Sequence, residues 1–340
     1  MEMMMGILFG CLAGLLVGGA AWPIKLMKHY KGEHWSFVAM TVALIIIPWA
    51  LAFGFCPDLI GAYQEVGAGP LLKAGFFALF WGVANILALI CFSKIGVSLT
   101  YGILAGVGVC VGVTIPMIFK GSGQFADAPG LFSRPGMLVL LGVVVMLSGV
   151  ISMAKAGLAR DRSGSESGPS SLSGIVMSVV AGVLSVGFSF AFVYCQAPIV
   201  AAMMKSGAGE FQASFAVWAI ALLSAGILNS GYFAFQMTKN KSWDVFFKYW
   251  SEAFLAVIFG VMFIAGFIFM GKGMLLLGVL GASIGFGLQQ SMLIVGSQIV
   301  GFVGGEWKNA AKPVLKQAYI AIALLIIAAV ILSIANGVSS

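Results

Sequence analysis

Trp81 and Asn85 stand one helical turn apart inside an apolar run bounded by Lys73 and Lys94. Ser185 and Ser189 repeat that spacing later, Asn229 interrupts a third apolar run, and Gln289 and Gln290 interrupt a fourth. A neutral amide offers two donors and one acceptor, a hydroxyl offers both, and an indole offers a flat π face. None of these groups carries charge or moves a proton near neutral pH. Their combined chemistry is reversible recognition of a neutral, hydroxyl-rich solute, with the ring packing on its C–H surface. A sugar fits that description. The plainer alternative is that the same amides and serines hydrogen-bond helix to helix. Central amides in a membrane are costly unless partnered, so they mark function or packing, not indifference. Ser283, Gln290 and Ser297 recur every seven residues and form one stripe.

Titratable groups are placed differently. Glu210 and Glu252 stand near expected helix starts and Glu306 near a helix end. His29 and His34 share a lysine-rich loop with Glu33, which reads as a solvated turn. With two histidines and no CxxC spacing, a metal site or a cofactor is not expected. The five cysteines read as small apolar packing residues. A membrane enzyme needs paired acids or a histidine at the chemistry, and that constellation is missing.

The elements that must position these residues are membrane-spanning helices. Of the 340 residues, 61% are hydrophobic and 9% charged, and mean hydropathy is +1.08. No soluble domain hides so much apolar surface. The runs lack the period-two alternation of barrel strands, so the fold class is all-α integral membrane. Ten spans are expected, near 5–24, 35–55, 73–93, 98–119, 136–154, 174–195, 211–237, 251–270, 275–302 and 314–335. The ninth is too long for a straight crossing and must tilt, break near Gly285 and Gly287, or be shorter. In the fourth, Gly102, Gly106 and Gly112 suit close packing or sliding of a neighbour.

Residues 156–173 differ in kind, with Arg160, Asp161 and Arg162 followed by a Ser/Gly tract and Pro169. They read as a flexible linker between a first five-helix repeat, 1–155, and a second, 174–340. Ala13-Gly14, Leu16 and Gly19 match Ala181-Gly182, Leu184 and Gly187 at a constant offset. An odd number of helices per half makes the repeats inverted, as in secondary transporters. Thirteen of the eighteen Lys and Arg residues follow odd-numbered spans. The positive-inside rule then puts the linker in the cytoplasm and both termini outside, in the periplasm. Trp22, Trp35, Trp243, Trp250 and Trp307 fall at the expected cytoplasmic boundary, as interfacial belt residues do. The excess of positive charge is topological and implies no nucleic acid.

Several motifs together resemble the L-rhamnose–proton symporter family of the drug/metabolite transporter superfamily. They are Ala21-Trp22-Pro23 with Lys25, Ile47-Pro48-Trp49-Ala50, Trp81-Gly82 with Asn85-Ile86, and the Gly96 to Pro116 series. Ser185, Gly187, Ser189-Phe190-Ala191 and Glu306-Trp307-Lys308-Asn309-Ala310 complete the set, in order along nearly the whole chain. The resemblance implies a ten-helix importer of L-rhamnose or a related deoxysugar in a bacterial inner membrane; a monomer and a homodimer are both open to it. It implies the proton as coupling ion, with sodium the other candidate. The readings it competes with are a metabolite exporter or sodium-coupled sugar carrier of the same superfamily and, more remotely, a membrane-embedded enzyme.

Overall fold

A backbone crossing lipid must satisfy its own N–H and C=O groups, and a helix does this within one segment. The computed structural model describes residues 2–118, 130–163, 170–277 and 285–337, and among them every regular element is helical. The chain opens with α1 (Glu2–Gly19), a 3-10 turn (Trp22–Leu26), α2 (Gly32–Thr41), a π-helical turn (Val42–Ile46) and α3 (Ile47–Phe55). A short α4 (Leu59–Val66) precedes α5 (Ala68–Ile95), α6 (Val97–Ile118) and α7 (Arg134–Ser163). Then come α8 (Ser170–Leu184), α9 (Val186–Lys205), α10 (Glu210–Lys239) and the short α11 (Trp243–Lys248). The last three are α12 (Ser251–Leu276), α13 (Phe286–Val303) and α14 (Lys312–Gly337).

Among the described residues, eight helical stretches are long and apolar enough to cross a membrane. The fourth and ninth expected spans fall on α6 and α13, within which Leu99–Gly108 and Gly287–Val303 are the apolar stretches among the described residues. Residues 275–276 of the ninth expected run close α12, residues 278–284 lie outside the described residues, and α13 carries the rest, with Gly285 at its cap. Ser283 of the expected stripe lies outside the described residues. Of the expected 156–173 linker, residues 156–163 continue α7 and residues 170–173 begin α8. Its remaining residues, 164–169, lie outside the description.

Irregularities sit where the sequence demands them. Pro48 has no N–H to return to the carbonyl four residues before it. The helix widens there instead, and Ile47 N–H closes on Val42 O, a five-residue ring. Between α8 and α9 the helix breaks at Ser185, where Phe188 N–H turns back onto Ser185 O. Gly187, beside the break, lets α9 approach α5: a Cβ there would stand 3.1 Å from Trp81 N and still nearer Phe77 O.

The chain divides into two compact units that do not follow the sequence halves. The first comprises Met1–Ala21, Ile90–Val183 and Ala265–Ser340; the second comprises Trp22–Leu89 and Leu184–Ile264. The borders fall just after α1, inside α5 and α12, and at the last residue of α8. In the first unit α1 lies against α13, and α7 against α14 and α6. In the second, α10 is central and packs on α2, α3 and α9. Gly226 makes this possible, since a Cβ there would stand 2.7 Å from Ile45 Cγ1.

Candidate functional site

In the second unit α5 and α10 bring Asn85 and Asn229 together, both buried. Asn229 Nδ2 donates to Ala225 O at 2.8 Å and to Gly82 O at 3.1 Å. Both acceptors are carbonyls, so this end of the amide must be nitrogen and the other must be oxygen. Asn229 Oδ1 in turn accepts from Asn85 Nδ2 at 3.1 Å, which fixes the Asn85 amide as well. The second acceptor for Asn85 Nδ2 is the Met40 thioether, at 2.9 Å. Asn229 is therefore a helix-to-helix fastener with both donors used. Asn85 is held in place by it.

Trp81, one turn before Asn85, is buried in a chain of rings. Its ring centroid lies 5.2 Å from Phe188 and 6.5 Å from Phe263. Phe188 continues to Trp218 at 5.7 Å, Trp218 to Phe192 at 4.6 Å, and Phe263 to Phe259 at 5.8 Å. An aromatic wall thus stands beside the amide pair within one unit. Ser185 is buried at the α8–α9 break. Ser189 lies on α9, and its side chain is outside the description.

Gln289 and Gln290 belong to the first unit, on α13, and both are buried. The Gln289 backbone faces Gly14 of α1, where a side chain would strike its carbonyl oxygen. Gln290 Oε1 is fully buried and accepts no hydrogen bond from any described residue. A buried acceptor without a donor costs on the order of 1–3 kcal/mol, so a ligand that donates to this oxygen recovers that cost. Gly106 and Gly102 of α6 face Val150 and Met153 of α7 in the same unit, at 2.6 Å and 3.7 Å from an added Cβ. Gly112 lies on α6, and nothing further is described there.

The titratable cluster near His29 is not a solvated turn. Glu252, at the start of α12, has a side chain only 13% exposed. Its carboxylate accepts from the backbone N–H groups of Lys28 (3.1 Å), His29 (3.1 Å) and Tyr30 (2.8 Å), and from His29 Nδ1 at 2.8 Å. The His29 ring also stacks on Tyr249, with centroids 3.8 Å apart. Burial, and after it the Glu252 charge, push the Tyr30 phenol above its ordinary range, while its hydroxyl donates to Phe246 O. His34 is wholly buried. Its Nδ1 accepts from Lys31 N–H at 3.0 Å, so its proton is on Nε2, which donates to Ser242 O at 3.1 Å. Glu33 accepts from Asn240 Nδ2. These groups clasp the 28–31 loop to the α10–α12 region of the second unit. A general base needs a free lone pair facing a reactant, and these are committed to backbone.

Two of the expected belt tryptophans are also corrected: Trp35 and Trp307 are buried, whereas Trp22 and Trp250 are exposed. Trp307 packs under the Arg160 guanidinium at 5.0 Å, and Arg160 pairs with Glu306 at 3.6 Å. Nothing in the spacing of these residues signals that pair.

Comparison with known proteins decides the family. The model of the L-rhamnose-proton symport protein family (RhaT) matches residues 1–338. The chain belongs to this family. Among its relatives, the L-rhamnose-proton symporter of Klebsiella pneumoniae subsp. pneumoniae is 27% identical over 316 residues, covering 90% of each chain. That of Cronobacter sakazakii is 25% identical over 334 residues, covering 96% of this chain and 95% of its own. That of Escherichia coli O1:K1 is 26% identical over 321 residues, covering 92% of each. Family members are symporters by name, so the enzyme reading is set aside.

Proposed function

We propose that the chain is a secondary active transporter that imports L-rhamnose or a related deoxysugar with protons, by alternating access. It sits in a bacterial inner membrane as a monomer or homodimer. Its ten helices form two inverted five-helix repeats, 1–155 and 174–340, joined by the 156–173 segment. Relatives named for L-rhamnose and proton symport support the substrate and the ion. The observation that carries the reading in the structure is the buried, donorless Gln290 Oε1, which a sugar hydroxyl satisfies. Asn85, Ser185, Ser189 and Gln289 are the other polar groups of the reading, with Asn229 holding Asn85 in place and Trp81 as the aromatic wall.

Proteoliposomes supply the test. An inward proton gradient should drive L-rhamnose accumulation, a protonophore should abolish it, and replacing sodium by choline should leave it intact. Gln290→Ala should weaken sugar binding about two- to ten-fold, the equivalent of one neutral hydrogen bond, with folded yield retained. Accumulation that follows sodium, or a Gln290→Ala protein of normal affinity, would count against the ion and the contact respectively.

Orientation has its own check. A cysteine at Ser165, in a chain whose five cysteines have been replaced, is expected to resist an impermeant thiol reagent on intact cells. A cysteine at Ser340 is expected to react. The reverse pattern would invert the topology that the Lys and Arg count supports.

A further inference from the structure

Asn85 has three hydrogen-bonding positions on its amide, and they are used unequally. One N–H is committed to Asn229 Oδ1, an amide oxygen. The other is spent on the Met40 sulfur, a weak acceptor. The remaining position, Oδ1, accepts no hydrogen bond from any described residue. The amide cannot turn over to improve this, because Asn229 uses both of its own donors on Gly82 and Ala225 and so presents only oxygen to Asn85. A locked amide thus shows one under-used donor and one unused acceptor beside the Trp81 ring.

We propose that Asn85 recognises two adjacent hydroxyl groups of the transported sugar, and that Met40 holds one of their places until the sugar displaces it. The first hydroxyl oxygen accepts the N–H now spent on sulfur. Its neighbour donates to Oδ1. Vicinal hydroxyls carry such a donor and acceptor side by side, and a single hydroxyl or a carboxylate does not satisfy both positions. Met40 suits displacement because its side chain is unbranched, with a soft sulfur that tolerates several packings. It also lies one residue before Thr41 and the π-helical turn, where the helix is already wound off its ideal form. The inference rests on the sugar-transport reading and adds to it the chemical feature recognised and the residue that yields.

The test is a binding cycle on the purified full chain, with L-rhamnose as the probe and calorimetry as the readout. Met40→Leu keeps the volume of the side chain and removes the sulfur. The free protein then holds an unpaired N–H that only the sugar can satisfy, so affinity should rise about two- to ten-fold. A residue that merely packs would give unchanged or weaker binding. In an Asn85→Ala background, Met40→Leu should bring no gain. An L-rhamnose analogue lacking either hydroxyl of the recognised pair should bind Met40→Leu no better than wild type. Carbon-13 labelling of the methionine methyl groups gives a second readout in the unmutated protein. The Met40 methyl signal should shift at saturating L-rhamnose, and should not shift in Asn85→Ala. A folded wild-type protein that binds no L-rhamnose overturns the transport reading and this inference with it. L-rhamnose binding with an unmoved Met40 signal, or a Met40→Leu gain that survives without Asn85, overturns this inference alone.

Discussion

Gly18→Ala is expected to cost most of the folded protein. A Cβ on Gly18 falls onto the backbone oxygen of Leu293 and 2.8 Å from Ser297 N. Those atoms belong to the α13 backbone and cannot rotate aside as a side chain does. One turn earlier, Gly14 faces Gln289 O, with Leu293 N at 2.7 Å from an added Cβ. From the other side, a Cβ on Gly296 meets Leu15 O at 2.9 Å. Three glycines therefore bring α1 and α13 into backbone contact, the arrangement by which helices gain packing in lipid, where no hydrophobic drive pulls them together. One methyl group at Gly18 must push the two apart along this whole seam. Overpacking costs about 1–3 kcal/mol when side chains can yield, and here the yielding partner is backbone, so the upper end is expected. The check is the thermal midpoint and monodisperse yield in detergent, with Gly54→Ala as control. Gly54 lies within α3, and a Cβ there meets nothing within 4 Å. Gly18→Ala should melt well below wild type and Gly54→Ala at or above it. Equal midpoints would mean that α1 and α13 are farther apart than this.

The helices were legible because lipid imposes one rule on every span: length and apolarity, both visible in the sequence. The distribution of contacts was not. A glycine face on the fourth span looks the same whether it slides or packs, and Gly102 and Gly106 turn out to face α7 of their own unit. The tighter seam, at Gly14, Gly18 and Gly296, was visible only as a faint internal repeat around Ala13-Gly14. Asn85 was identifiable as a costly amide, but its tie to Asn229 depends on residues 144 apart in the chain. For the same reason Glu252 and Glu306 were legible only as carboxylates near helix ends. A carboxylate near a helix end looks solvated until the loop that covers it is placed. In Glu252 that loop is 28–30; in Glu306 the cover is Arg160, from α7. Trp307 next to Glu306 suggested an interface and instead lies beneath the arginine.

That arginine sets the second large effect. Arg160 and Glu306 have side chains only 12% and 10% exposed, 3.6 Å apart, in the first unit. They meet at Gly96, whose φ of +84° forms the left-handed turn between α5 and α6. A Cβ on Gly96 would stand 3.3 Å from Glu306 Oε2, so the turn and the pair fit one another closely. Glu306→Gln keeps the shape and removes the negative charge. The Arg160 cation then stays buried without its carboxylate, a change that typically costs about 3–5 kcal/mol. The Trp307 face offsets only part of this, since a cation–π contact contributes about 0.5–2 kcal/mol and is already present. Glu306→Gln should lower the thermal midpoint by several degrees. Because the pair is largely shielded from solvent, raising salt should change the wild-type midpoint little. Removing both charges has a different outcome. A buried pair is often no more stabilising than apolar groups of the same volume. Arg160→Met with Glu306→Leu should therefore recover most of the loss. A double variant as unstable as Glu306→Gln would show instead that the carboxylate acts through another partner than Arg160, and a Glu306→Gln protein with the wild-type midpoint would show that the pair is solvated.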